Sequence, residues 1–163
     1  MSAQTTYKFG TAMGAAGGIV DLAPYAIDTF MNEEANGAMD FGVAVVKGTK
    51  KTQIKKPASG AAAADICGVT VNNRTTEMDR LGNVEMLNNK PVGVMRYGRI
   101  YVRVATGVTP AIDDATYALV NGDEAGYFTN ASGSGAVTVK GRFLSTVDAT
   151  TGVAMVELFN QAQ

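Results

Sequence analysis

Two pairs of adjacent acids, Asp113–Asp114 and Asp123–Glu124, are by type the side chains best suited to chemistry. Paired carboxylates can hold a calcium ion, or flank a glycosidic bond as acid and base. The ligand spacing of an EF-hand loop is missing around both pairs, and no aromatic-rich groove accompanies them. Aspartates in turns need only local backbone partners, so both pairs read first as solvated turn residues. The glycine clusters "GAAGG" (14–18) and "GSG" (133–135) match neither a Walker loop nor a dinucleotide fingerprint. Cys67, the single cysteine, sits among strand formers in "DICGVTV" and reads as a buried, inert thiol. Histidine is absent altogether. That removes the usual general base and the commonest metal ligand, so Ser-His-Asp, Cys-His and ordinary zinc sites cannot be built. The reading is of a protein that is not an enzyme, with no catalytic, cofactor-binding or metal-binding residue.

A different set of side chains stands out on "PVGVMRYGRIYVRVATG" (91–107). Strict alternation puts Ile100, Val102 and Val104 on one face and Arg99, Tyr101 and Arg103 on the other. The apolar set forms one wall of a core. The outward set has the side-chain types that dominate protein interfaces: guanidinium forks that grip carboxylates, and a phenol that gives area at low entropic cost. The plain alternative is a solvated sheet face, or pairing with the chain's own acids such as Asp113 and Asp114. Arg96, just upstream, joins this candidate contact surface.

The elements that must position this face are short strands. Nineteen glycines among 163 residues and no tryptophan favour tight turns over long helices. Residues 1–26 are polar, then glycine-rich, and hold neither period. They are expected to form an extended arm, with 27–163 a β-rich domain. Strands are expected over 27–31, in "DFGVAVVKG", in "ICGVTVN", in the arms 92–97 and 99–105 of a hairpin turning at Tyr97–Gly98, on both sides of the Asn121–Gly122 turn, and in "GAVTVKGRFLSTV" and "GVAMVELF". "KTQIKKP" is expected to be an edge segment whose lysines discourage stray pairing. Residues 73–90 read as a polar surface excursion. Roughly ten strands with closely spaced turns imply an all-β, antiparallel sandwich or barrel with an extended N-terminal arm.

Charge is divided along the chain. Between Lys47 and Arg103 there are eleven Lys/Arg against four Asp/Glu, and the remainder holds three against eleven, giving +7 and −8 and the net −1. Opposed poles suit a partner surface or self-assembly. The overall acidity argues against nucleic acid as a partner. No stretch reaches the length of a membrane span and no targeting segment is evident, so no membrane association is expected and synthesis is placed in the cytoplasm.

Five stretches, in this order, resemble the phage head cement proteins that decorate capsids: "GGIVD" (17–21), "FGVAV" (41–45), "DICGVTV" (65–71), "VGVMRYGRIYVRV" (92–104) and "GRFLSTVDATTGVAMVEL" (141–158). Each is loose, so the likeness lies in their order and spacing. The resemblance implies a structural protein on the outside of the assembled shell. Such a protein bridges neighbouring major capsid subunits, often as a trimer at local threefold positions, and helps the head resist DNA pressure. Its location would be the virion surface, after synthesis in the host cytoplasm. No residue-level site carries over with it. On physical grounds the arm is a second candidate contact, with Gly17, Gly18, Ile19 and Val20 at its centre, expected to reach over a neighbouring subunit. The competing reading is a carbohydrate- or host-surface-binding β module displayed on the virion.

Overall fold

The computed structural model describes residues 14–72 and 86–161. The first half of the arm (1–13) and most of the expected polar excursion (73–85) lie outside them. Among the described residues, nine strands and one 3-10 turn make up the regular structure: β1 Ala26–Asn32, β2 Ala44–Lys47, β3 Gln53–Lys55, the turn Ala63–Asp65, β4 Ile66–Thr70, β5 Pro91–Arg103, β6 Ala115–Leu119, β7 Phe128–Thr129, β8 Ala136–Phe143 and β9 Val153–Leu158. The fold is all-β, as the pattern of short apolar runs and turns predicts.

The sheet order is β1-β3-β2-β4-β5-β9-β8-β6-β7, and β1 also pairs with β5. That extra pairing closes β1, β3, β2, β4 and β5 into a barrel. The remaining strands continue from the far half of β5, and a Val104–Phe128 bridge brings β7 back towards its end. Two parts of the expectation change here. The β1–β3 pair is parallel, aligning Met31 with Gln53. The lysine-bearing segment is no edge, because β3 is hydrogen-bonded between β1 and β2 once the ring closes. Lys50 and Lys51 instead stand exposed on the β2–β3 turn.

The hairpin expected at Tyr97–Gly98 is replaced by one continuous strand of 13 residues. A two-residue hairpin turn needs left-handed backbone in its central pair. Here only Gly98 has positive φ, at +125°, well away from the values such a turn uses. Gly98 instead marks the change of partner. Residues 91–97 pair with β1, and 98–103 pair with β9, Gly98 opposite Leu158 and Arg103 opposite Val153. A side chain at Gly98 would place its Cβ 2.7 Å from Tyr25 Cβ. Glycine is needed both for the backbone angle and for this approach.

Burial on both faces explains why the central strands read as near-continuous apolar runs. Val43 and Val45 pack with Ile54, Cys67, Val92 and Val94 in one cluster. Ala44 and Val46, pointing the other way, join Ile66, Val69 and Met95 in a larger cluster. That cluster continues through Ile100, Val102, Phe128, Phe143, Val156 and Leu158. The inward set of β5 is therefore core on schedule. At the closed end of the barrel, buried Asn32 donates its side-chain amide to the carbonyls of Met86 and Leu87. At the C-terminus, buried Gln161 donates to the carbonyls of Lys140 and Phe159, both at 2.6 Å, tying the tail to β8.

Gly98→Ala should reduce unfolding free energy by about 2–4 kcal/mol, combining backbone strain with a core-proximal clash. Gly107→Ala makes the control. Gly107 also has positive φ, at +78°, but an added Cβ there meets nothing within 4 Å. It should cost only about 1 kcal/mol. Equilibrium denaturation followed by circular dichroism ranks the two, and equal costs would show that Gly98 is not a steric pivot.

Candidate functional site

The free edge of the far half of β5 is occupied by the chain's own arm, which the Tyr101 ring also covers. Gly17 N–H donates to the Tyr101 carbonyl at 2.8 Å, Tyr101 N–H to the Gly18 carbonyl at 2.9 Å, and Val20 N–H to the Arg99 carbonyl at 3.1 Å. Ile19 bridges Ile100 in antiparallel sense. Gly17 also accepts from Asn72 N–H at 2.8 Å, and Gly42 N–H donates to Thr70 O while Gly42 O accepts from Arg103 N–H. The arm thus seats in a seam between β4 and the far half of β5. Small residues are required there by contact. An added Cβ on Gly14 would lie 2.4 Å from the Tyr101 ring, and one on Gly17, where φ is +77°, 2.7 Å from Asn72 N. The segment expected to lie over a neighbour, so far as it is described (14–23), is therefore laid along its own domain, because β5 offers it unpaired backbone donors and acceptors.

An alternating ladder of charge clasps this arrangement. Arg99 Nη1 lies 2.9 Å from Asp21 Oδ2 at the end of the arm, and its Nε 3.4 Å from Glu157 Oε1 on β9. Glu157 Oε2 accepts from Arg142 Nε and Nη2 on β8, both at 2.8 Å. Arg142 Nη1 reaches Asp113 Oδ1 at 2.8 Å. Register makes the ladder: Arg99 and Arg142 are each directly opposite Glu157 across antiparallel pairs. Hydrogen bonding from Arg142, with Arg99 adding to it, holds the Glu157 carboxyl below its ordinary range. Asp21 in turn raises Arg99, and Glu157 raises Arg142. The pairing of this face with internal acids is real, though the acids on Arg99 are Asp21 and Glu157. Asp113 serves Arg142.

The other candidate residues are also engaged. Arg103 donates through Nε to the Phe41 carbonyl at 3.3 Å and stacks 5.8 Å above the Tyr127 ring. Arg96 Nε lies 3.4 Å from Asp28 Oδ2 on β1. Tyr127 donates to Asp40, which also faces Lys56 at 3.9 Å; burial first, then Asp40, pushes the Tyr127 phenol up. Missed from the sequence were Asp21, Arg142 and Glu157. Their signal exists only once register aligns three strands.

One member of each acid pair, Asp114 and Glu124, is a loop tie. Asp114 accepts from Ala111 N–H and Asn130 Nδ2, both at 2.8 Å, and the Asn130 bond leads in lowering its pKa. Glu124 holds Thr106 through backbone and hydroxyl. Burial pushes the Cys67 thiol up, which disfavours a reactive thiolate. Among the described residues, no group of three His, Cys, Asp or Glu side chains could hold a metal ion, and no helix is long and apolar enough to cross a membrane.

The sequence charge split is not a clean spatial one, because Glu33, which accepts from Thr49, and Glu34, which accepts from Lys56 N–H, share the end that carries Lys50 and Lys51. Lys50 and Lys51 sit on the turn before β3, beside Met31 and thus near the Pro91 end of β5. Glu124, through Thr106, and Asp148, through the turn into Val153, lie at the Arg103 end. A strand of 13 residues separates these ends by about 40 Å.

Comparison with known proteins identifies the arrangement. A family model described as "Structural cement protein (E217 gp24/Pam3 gp6)" matches residues 3–159. No curated protein matches the chain. A chain from the structure "The capsid of Myoviridae Phage XM1" superposes with a TM-score of 0.71 over 100% of this chain and 99% of that one. The two are 20% identical, a likeness of fold.

The ladder makes a pH prediction with a definite sign. A carboxyl whose folded pKa is depressed adds stability above its unfolded pKa and loses it as pH falls through the folded value. Thermal stability should therefore fall as pH drops below about 4.3, the free glutamate value. Glu157→Gln should lower Tm at pH 7 and flatten that acid limb. Melting curves from pH 7 to pH 2 measure both, and an unaltered acid limb in Glu157→Gln would remove Glu157 from the ladder's energetics.

Proposed function

Because the chain belongs to the family of phage structural cement proteins, we propose that it binds the outside of the assembled icosahedral capsid, bridges neighbouring major capsid subunits and stiffens the shell against internal DNA pressure. The match over residues 3–159 carries the reading. It also favours the shell over a carbohydrate or host-surface ligand. The architecture supports it. A clamp between solid bodies needs a surface that does not yield, and here a closed barrel and a second sheet share one strand, so the two halves cannot shear apart without breaking β5.

In this reading Arg99 and Tyr101 act as positioning residues, while Arg103 braces the Phe41 loop and the Tyr127 ring. The first two hold residues 14–25 in shape on the domain, and the composite surface of arm and β5, with Arg96, Arg103 and the Gly17–Val20 segment, meets the shell. Copies group at the shell, a trimer being the assembly that the resemblance implies.

Purified protein mixed with expanded, empty shells should appear as ordered surface protrusions in negative stain, and should raise the temperature at which the shells rupture. Mass spectrometry of intact virions should find hundreds of copies. Arg99→Ala/Arg103→Ala should free the arm to protease and weaken shell addition by tenfold or more, with the β domain still folded. Bare shells after mixing would overturn the reading. Undiminished addition by a variant with a protease-sensitive arm would overturn the positioning role alone.

A further inference from the structure

Barrel closure uses only the end of β1. Of its residues, Met31 and Asn32 are in register with β3, at Gln53 and Ile54. The direction in which each residue bonds can be read along the strand. Asn32 faces the β5 side: its N–H donates to the Lys90 carbonyl at 2.9 Å and its carbonyl accepts from Asn89 N–H at 2.8 Å. Met31 and Glu33 face the other way, donating to the carbonyls of Thr52 at 2.8 Å and Ile54 at 2.9 Å. Alternation then turns the backbone groups of Asp28 and Phe30 toward β5, and those of Ile27 and Thr29 away from it. The residues opposite agree. Pro91, which has no N–H, lies across from Met31, and Gly93, across from Thr29, gives its carbonyl to Val71 N–H on the far side. Before the start of β3, no described residue bonds to the outward groups of Ile27 or Thr29, and Thr29 is exposed. These two residues hold out N–H donors and carbonyl acceptors in one line, an open strand edge.

We propose that this edge takes an added strand: an extended, acidic segment of the shell subunit pairs with Ile27 and Thr29 through its backbone. The inference rests on the cement reading and names the chemistry of one contact within it. The acid follows from the turn that closes off the edge. Lys50 and Lys51 are exposed on that turn, which leads through Thr52 to β3, and no described carboxylate forms an ion pair with either. Glu33 lies near Lys50, but its two oxygens are taken by the backbone and hydroxyl of Thr49. An incoming carboxylate therefore finds two ammonium groups without a partner. A second copy of this chain supplies none. Two copies joined edge to edge about a twofold axis run antiparallel, which sets residues 23–27 of one beside the lysine turn of the other, and that stretch, "APYAI", carries no charge. The edge also follows directly on the arm, so an added strand continues the contact that the arm begins.

Thr29→Pro tests the edge. Proline there removes the outward N–H and spares the bonds to β5, since Thr29 and Gly93 face away from each other. Circular dichroism and Tm should stay close to those of wild type, while addition to expanded, empty shells should weaken about tenfold or more. Lys50→Glu/Lys51→Glu, on the exposed turn, should weaken addition by a similar factor, with the difference from wild type shrinking as salt rises. Hydrogen exchange resolved to single amides reads the edge with no substitution at all. In the free full-length protein the amides of Ile27 and Thr29 should exchange fast, and on shells they should slow by about tenfold or more, while those of Asp28 and Phe30 are slow in both. Wild type that decorates shells with Ile27 and Thr29 still exchanging fast overturns this inference and leaves the cement reading standing, as does undiminished addition by both variants. Protection of the two amides in concentrated free protein gives the edge to a second copy and overturns the shell as its occupant. Shells left bare by wild type overturn the cement reading and this one with it.

Discussion

Everything in this molecule hangs on β5 serving two sheets in succession. A strand of 13 residues that changes partners midway must present apolar side chains to one core, switch from β1 to β9 between Tyr97 and Gly98, and present apolar side chains to the next. The passage is made at Gly98, whose φ of +125° and crowding by Tyr25 leave no room for a side chain. Once that residue is in place, the barrel of β1–β5 and the sheet of β6–β9 become one solid. Val92 and Val94 serve one cluster, while Ile100, Val102 and Val104 serve the other.

Splitting β5 between sheets leaves backbone groups of its far half without a strand on one side. Backbone donors and acceptors cannot be left unmet at a packed seam. Residues 17–20 fill the place of the missing strand, and Asp21 closes it by pairing with Arg99. Arg99 and Tyr101 therefore have a structural task that comes before any encounter with a partner: they fasten the arm along the edge of their own strand. Tyr101 contributes its ring to the contact with Gly14 and Gly18, which explains why a glycine-rich stretch precedes the first strand at all.

In the proposed cement role, rigidity comes from closure and double-sided burial, and area from the arm that lies along the domain. Of the paired acids, Asp114 and Glu124 tie loops and Asp113 pairs with Arg142, while the thiol is buried beside Asp65.

Composition and alternation were enough to establish an all-β chain, the inward and outward sets of residues 99–104, the β8–β9 hairpin around 148–152 and the absence of histidine chemistry, because these depend on period and residue type alone. The family resemblance was legible in the order of five loose stretches for the same reason. What no local pattern could decide was pairing. Tyr97–Gly98 looks like a turn until β1 and β9 are both in place, the "KTQIKKP" lysines look like edge protection until β1 closes the ring, and the seat of the arm does not exist until β4 and β5 form its two sides. Asp21, Arg142 and Glu157 are far apart in the chain and meet only because antiparallel register sets them opposite Arg99 or one another. Register is fixed by the sum of many buried contacts across strands distant in sequence, so it belongs to the tertiary structure and to nothing shorter.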